Sequence, residues 1–390
     1  MNIGIFFGSR SPEHDVSIIT GTLIAKGLGQ LGHKVVPVYI SKEGSWYVGE
    51  PLGDLNFYKQ TSWQSKLNQY ANYTISTHSP KGKMVLTKPG ISKKSFIVDI
   101  AFPAFHGANG EDGTIQGLFE IFNIPYVGCD VLSSAVTMDK VLTKELYEKY
   151  DIPTTKFIYF SKSQWEEGRS LVLERLKGLD MPVFIKPARL GSSIGITRAT
   201  NEKEVILAVE VALHYDDKIL IEDVVPNLID ITCAVLGNEN PKASLLQESA
   251  FQGEFFSYAE KYLEEGGAQF GKAEKKLIIP SSLDKITTQK IQDLSVKVYK
   301  LLGCSGTARV DFLYNKASSE FFANEVNTLP GTLYHHLWKA SGVSFSELLT
   351  ELLNLAQERY QRKQRLTYTF ESDILSQANF NKAKLQGLSD

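Results

Sequence analysis

Cysteine is scarce. Cys129, Cys233 and Cys304 are the three in 390 residues, and they have no CxxC or metal-ligand spacing. This argues against a disulfide framework or a thiolate metal centre and fits buried thiols in a reducing compartment. No apolar run is long enough to cross a bilayer. Neither sign of charge prevails. The 42 Lys and Arg against 44 Asp and Glu leave a net charge of −2, so nothing global favours a nucleic acid or a membrane surface as partner. Internal repeats and low-complexity segments are absent. The chain opens on Asn2-Ile3-Gly4-Ile5-Phe6-Phe7, a strand pattern without the basic and apolar regions of an export signal. A cytoplasmic location is expected.

What remains is a globular composition, 43% hydrophobic and 22% charged. At about 100–200 residues per domain, the length predicts two or three domains. The most informative stretch is Ala308-Arg309-Val310-Asp311-Phe312-Leu313-Tyr314, followed by Phe321-Phe322-Ala323-Asn324-Glu325-Val326-Asn327. Both runs alternate as strands do, and the turn-rich residues between them predict a hairpin. Arg309 and Asp311 share a face, and so do Glu325 and Asn327. Two carboxylates and an amide oxygen form a hard-oxygen set suited to Mg²⁺ carried by nucleotide phosphates. Arg309 beside them would hold a developing anion.

The other elements follow in order. Residues 2–7 read as a strand ending in Gly8-Ser9-Arg10-Ser11-Pro12-Glu13-His14-Asp15-Val16-Ser17, with a helix over residues 18–31 and a strand over residues 34–40. Strand, helix, strand predicts a parallel α/β sheet. Residues 41–94 give no function. Residues 96–105 form a strand that ends in His106-Gly107 and a glycine-rich loop, at the end of a strand where α/β sheets bind ligands. Residues 131–150 read as one helix containing Asp139-Lys140. A strand ends in Lys186-Pro187 and runs into Gly191-Ser192-Ser193-Ile194-Gly195, then another strand. No helix follows and GK[ST] is missing, so this is not a P-loop, yet the same electrostatics can hold phosphates. Residues 219–225 read as a linker whose backbone could meet an adenine edge. Residues 249–279 are long, polar and aromatic-bearing, which predicts a functional lid. A helix over residues 345–360 closes the fold.

In this order the motifs resemble the D-alanine–D-alanine ligases of the ATP-grasp superfamily, over about residues 2–357. Glu13-His14-Asp15-Val16-Ser17, His106-Gly107 through Gly110-Glu111-Asp112-Gly113-Thr114-Ile115-Gln116-Gly117, Ile124-Pro125-Tyr126-Val127-Gly128 and Asn324-Glu325-Val326-Asn327-Thr328-Leu329-Pro330-Gly331 carry the likeness. The resemblance implies an α/β ATP-grasp fold of three domains with ATP clamped between the central and C-terminal ones. It divides the chain into an N-terminal substrate domain (residues 1–128), a central ATP-grasp subdomain (129–225), a C-terminal domain with lid and metal site (226–360) and a polar tail (361–390). It implies an ATP-dependent ligase that joins two D-alanines through an acyl phosphate, for peptidoglycan precursors.

The same resemblance assigns roles. Lys140 and Lys186 would hold the ATP phosphates, with Lys261 closing from the lid and Ser192 and Ser193 lining the phosphate loop. Glu222, Val225 and Asp230 would meet adenine and ribose, Asp230 standing where the family usually has glutamate. Asp311, Glu325 and Asn327 would bind two Mg²⁺, with Mn²⁺ able to substitute. Arg309 and the Gly331 N–H would support the oxyanion. Glu13 would take the first D-alanine's ammonium, with His106 near its carboxylate, and Glu13, Ser192 and Tyr262 would form a triad ordering the lid. D-alanine and ATP are the expected partners, and dimers are common in the family. One departure stands out: His336, followed by Leu337, falls where the family has a serine that binds the second substrate's carboxylate. The same product, a different acceptor (D-serine, D-lactate or another amino acid) and a non-catalytic ATP-binding protein are the three readings left open.

Overall fold

The computed structural model describes residues 1–71, 73–90, 94–249 and 277–377. Strands Asn2–Gly8, Lys34–Ile40 and Ile100–Pro103 pair in parallel, with the short Trp46–Val48 antiparallel at the edge. Helix His14–Gln30 makes the crossover. It begins four residues before the expected position because the polar run after Glu13 forms its first turn. The expected strand over residues 96–105 is two strands. Asp99 breaks it, its carboxylate accepting the Asn2 N–H at 2.8 Å. Ser95–Val98 therefore leaves the parallel sheet and joins Met84–Thr87 and Thr74–Ile75 in a small antiparallel one. The stretch that the sequence left unread also supplies an aromatic cluster, with Tyr58 and Trp63 edge-on to one another and to Tyr39.

A second sheet is wholly antiparallel, in the order Thr197–Ala199, Val183–Pro187, Lys218–Asp223, Phe157–Ser161. The expected helix over residues 131–150 breaks at Asp139 into Val131–Met138 and Lys140–Lys149. Asp139 caps the second piece by accepting the N–H groups of Val141 and Leu142. Lys140 thus starts a helix rather than lying within one.

The third sheet is antiparallel in the order Leu277–Ile278, Lys242–Ser249, Leu228–Gly237, Gly306–Asn315, Phe321–Asn327. The strand Lys242–Ser249 was not anticipated. Helix Lys285–Leu301 seals one face, with Ile291 and Val298 in a core with Val310 and Phe312. Helix Phe345–Gln364 returns to the first unit, where Leu348, Leu349 and Leu352 share a core with Ile24 and Leu28. Gly27 permits that approach. A Cβ there would stand 2.6 Å from Leu349 and 2.7 Å from Phe345. The same helix ties the units by polar contacts. Buried Arg359 donates to the Tyr126 carbonyl at 2.9 Å and to Ser305 Oγ at 2.5 Å, and Lys363 pairs with Glu120. The helix therefore extends four residues into the stretch expected to be tail. Among the described residues, no helix is long and apolar enough to cross a membrane.

Candidate active site

The predicted hairpin pairs Arg309 with Asn327 and Asp311 with Glu325 across the strands. Directly opposed residues project to one face, so the four polar groups converge. Arg309 donates from Nε to both Asp311 oxygens at 2.9 Å and from Nη2 to Oδ2 at 2.6 Å. Its Nη2 stands 3.9 Å from Glu325. The Asn327 amide lies 3.2 Å from Asp311. From the neighbouring strand, Thr232 donates to Asp311 at 2.9 Å, a partner that the sequence did not single out. The Arg309 guanidinium also lies over the Tyr334 ring, 4.9 Å from its centroid. Burial alone would weaken the guanidinium's hold on its proton, but Asp311, Tyr334 and Glu325 together outweigh it and keep Arg309 charged. Among the described residues no three His, Cys, Asp or Glu side chains gather as a metal cage. Two carboxylates and an amide fit a hard cation that draws its other ligands from phosphates and water.

One side of this cluster opens on a cleft lined by Lys140, Lys186, Ser193, Val225 and Asp230 together with Arg309, Asp311 and Glu325. Lys140 Nζ donates to the Leu190 carbonyl at 2.7 Å and stands 3.8 Å from Glu325. The glycine-serine loop bends through Ser192 and Ser193 at φ 54° and 59°. Left-handed backbone at two serines in succession is a strained arrangement of the kind that collects at functional sites. Glu222 departs from its expected place. Its carboxylate is fully buried outside the cleft lining and pairs with Lys186 and with Lys144. Lys144 was missed, although it lies one helical turn beyond Lys140, and that spacing was its one signal in the sequence.

The other side opens on a small polar pocket lined by Glu13, His106, Glu111, Ser192 and Gly331, again with Arg309 and Glu325. Ser192 donates to Glu13 Oε1, joining two segments 179 residues apart. Gly107, at φ 71°, allows the loop to pass Glu13: a Cβ there would stand 2.7 Å from Glu13 Oε2. His106 Nε2 lies 2.9 Å from Thr20 Oγ1. Burial, aided by Arg309, pushes the His106 imidazole down to about 3, so at neutral pH it offers a hydrogen bond and no charge.

Glu111 was given no role either, although it stands inside a quoted motif. It accepts the Gly107 N–H at 2.7 Å and faces the Leu329 N–H at 3.4 Å. Burial and then the neighbouring Glu13 push its carboxyl from about 4.5 up to about 8. Such a group is protonated in the fold while the unfolded chain already ionises. Its contribution to stability is therefore lost as pH rises from about 4.5 to about 8. Glu111→Gln should melt close to the wild type at pH 5 and gain on it by at least about 2 °C at pH 8, read by thermal melts across that range. A gap that does not change with pH would contradict this.

The remaining expected residues divide. Leu337 is fully buried in the core shared by helices His14–Gln30 and Phe345–Gln364, so its side chain does not reach either opening. His336 lines neither opening. Its Nε2 lies 2.7 Å from Gln247 Oε1, its ring sits 4.9 Å from that of Tyr334, and among the described residues its Nδ1 has no hydrogen-bond partner. Burial, then His335 and Arg309, push it down to about 4. The cationic form that would best take a carboxylate is therefore disfavoured. The turn leading to it holds Thr332, Leu333 and Tyr334 at φ 49°, 58° and 48°. Lys261 and Tyr262 lie outside the described residues, as does most of the expected lid.

Comparison with known proteins gives a consistent result. The family described as D-ala D-ala ligase N-terminus matches residues 2–129, and that described as D-ala D-ala ligase C-terminus matches residues 146–354. The chain is 39% identical to a D-alanine--D-alanine ligase of Thermosipho melanesiensis, covering 93% of this chain and 95% of that one. Its structure is similar to that of the D-alanine-D-alanine ligase from Coxiella burnetii, with a TM-score of 0.76, 30% identity and coverage of 94% and 97% of the two chains. It is equally similar to the VanG D-Ala:D-Ser ligase from Enterococcus faecalis, with a TM-score of 0.76, 32% identity and coverage of 91% and 99%.

Proposed function

The chain belongs to the D-alanine–D-alanine ligase family, and from that premise we propose that it uses ATP to join two D-alanines into D-alanyl-D-alanine for peptidoglycan precursors. The observation that carries this reading is that Arg309 and Glu325 border both openings, the lysine-lined cleft and the acidic polar pocket. A reaction that passes a phosphoryl group from a nucleotide in one to a carboxylate in the other needs that junction.

The chemistry follows from leaving groups. A carboxylate does not react with an amine because oxide cannot leave. Attack of the first D-alanine's carboxylate oxygen on the γ-phosphorus breaks the bond to ADP and yields an acyl phosphate. The second D-alanine's amine, having lost a proton, adds to the acyl carbon, and the tetrahedral intermediate collapses with loss of phosphate. Lys140 and Lys186 bind and orient the nucleotide phosphates, Ser193 lines the phosphate loop, and Val225 and Asp230 border the nucleoside end. Glu13 takes the first substrate's ammonium, held in place by Ser192, with neutral His106 near its carboxylate. Arg309 and the Gly331 N–H stabilise the oxyanion. Asp311, Glu325 and Asn327 would hold Mg²⁺, which would neutralise phosphate charge. Lys261 and Tyr262 are assigned to closure over the site. The substrates are small molecules, and the three α/β units are assigned as the N-terminal, central and C-terminal domains.

A second reading, with a different acceptor, is favoured by His336 alone. A neutral imidazole stands where the family has a serine hydroxyl, bulkier and without the charge that would best take a carboxylate. Phosphate release from D-alanine alone, then with D-serine, D-lactate and a panel of amino acids, with products identified by mass, tests both readings. D-alanyl-D-alanine from D-alanine alone supports the first. Turnover that requires a second compound supports the other, and no turnover with any compound contradicts both.

A further inference from the structure

Behind the nucleotide cleft lies a charged cluster that the mechanism above uses only through Lys186. Lys144 is 1% exposed, Glu222 is 1% exposed, and Lys186, which reaches the cleft, is 10% exposed. A lysine buried this deeply is costly unless its charge is balanced and its protons are satisfied. Here both conditions hold. Lys144 Nζ donates to Thr154 Oγ1, Thr155 Oγ1 and Glu222 Oε2, each at 2.8 Å, which accounts for all three of its N–H groups. Glu222 Oε2 also accepts from Thr155 at 2.9 Å, while Oε1 accepts from Lys186.

The charge count decides the meaning. A lone Glu222 beside Lys186 would leave a neutral pair at the floor of the cleft, and a neutral pair attracts a polyphosphate weakly. With Lys144 sharing the same carboxylate, the cluster carries two cations and one anion, a net charge of +1, and Lys186 is its one member at the cleft. We propose that Lys144 is a positioning residue for the nucleotide: it occupies and orients Glu222 from behind, so that Lys186 presents an uncancelled charge to the ATP phosphates. This rests on the nucleotide reading of the cleft and goes beyond it, since Lys144 itself lines no part of the cleft.

The test uses the full chain, a Mg²⁺-loaded non-hydrolysable ATP analogue in calorimetry, and steady-state kinetics. Lys144→Met keeps the volume and removes the charge. It should weaken analogue binding and raise the ATP KM on the order of tenfold or more, as removal of a nearby unit charge in a partly desolvated site implies. The kcat at saturating ATP and the KM for D-alanine should move by less than about threefold. The paired variant Lys144→Met/Glu222→Gln removes one cation and one anion, so the net charge of +1 returns. It should recover affinity to within about threefold of the wild type. A merely structural role for Lys144 would lower the melting temperature and kcat of Lys144→Met along with its affinity, whereas the proposal confines the loss to ATP binding. A folded Lys144→Met that binds the analogue as well as the wild type overturns the proposal, as does a paired variant as weak as the single one. Should Lys144→Met fail to fold, Lys144→Gln, which removes the charge but keeps a hydrogen-bond donor toward Glu222, carries the test by the same tenfold limit. If the wild type itself does not bind the analogue, the nucleotide reading fails, and the Lys144 proposal with it.

Discussion

Arg309→Met should lower kcat for product formation by about 10²–10³-fold, the usual cost of removing one oxyanion donor from a preorganised site. ATP binding should change far less, because the lysines of the cleft remain. Arg309 is 4% exposed, held by Asp311 at 2.6–2.9 Å and laid over Tyr334, so its position is set before any substrate arrives. A donor fixed in advance pays no reorganisation when charge develops on the carbonyl oxygen. Single-turnover measurements with saturating ATP would separate this loss from binding. Turnover within about fivefold of the wild type would remove Arg309 from the mechanism.

Glu325→Gln should cost at least about 10²-fold in turnover and shift the Mg²⁺ requirement to higher concentration. It is a better probe than Asp311, whose loss would leave the buried Arg309 cation without its main partner and destabilise the fold by about 3–5 kcal/mol. Glu325 is more exposed, and its ion pairs to Lys140 and Arg309 are long, at 3.8 and 3.9 Å. Its replacement should therefore leave the melting temperature nearly unchanged while the activity falls. Titration of activity against Mg²⁺ is the deciding readout. An unchanged Mg²⁺ dependence would remove Glu325 from the metal set, and a large drop in melting temperature would mark the residue as structural instead.

The hairpin was legible because period-2 alternation and a turn-rich gap are local signals. The structure returns its strands as Gly306–Asn315 and Phe321–Asn327, with the four polar residues on one face. Lys34–Ile40 was legible to the residue for the same reason. Other boundaries were set by single side chains whose effect depends on a distant partner. Asp99 breaks a continuous apolar run because it accepts from Asn2, 97 residues away. Asp139 splits a helical pattern by capping its second half and pairing with Lys218 at 2.6 Å. Lys242–Ser249 escaped notice because its alternation is interrupted at Gln247, Glu248 and Ser249, which are nonetheless all buried.

Within the candidate site, motif residues were legible as a set, but their state was not. Glu111 gains its raised proton affinity from burial and then from Glu13, and Lys144 is matched in its burial by Glu222, pairings that no spacing announces. His336 read as a replacement for a serine, whereas in the fold it is a neutral imidazole bound to Gln247, a residue of a strand that was not foreseen.

The central claim is that the first D-alanine's carboxylate is phosphorylated by ATP before the amine attacks. It is tested most directly by supplying D-alanine labelled with ¹⁸O in its carboxylate, together with Mg²⁺ and ATP, and weighing the released phosphate by mass spectrometry. The account predicts that each phosphate formed carries one ¹⁸O, transferred when the acyl phosphate loses its phosphate to the amine. Phosphate free of label, accompanied by dipeptide, would mean that no acyl phosphate forms and that the junction at Arg309 and Glu325 serves another step.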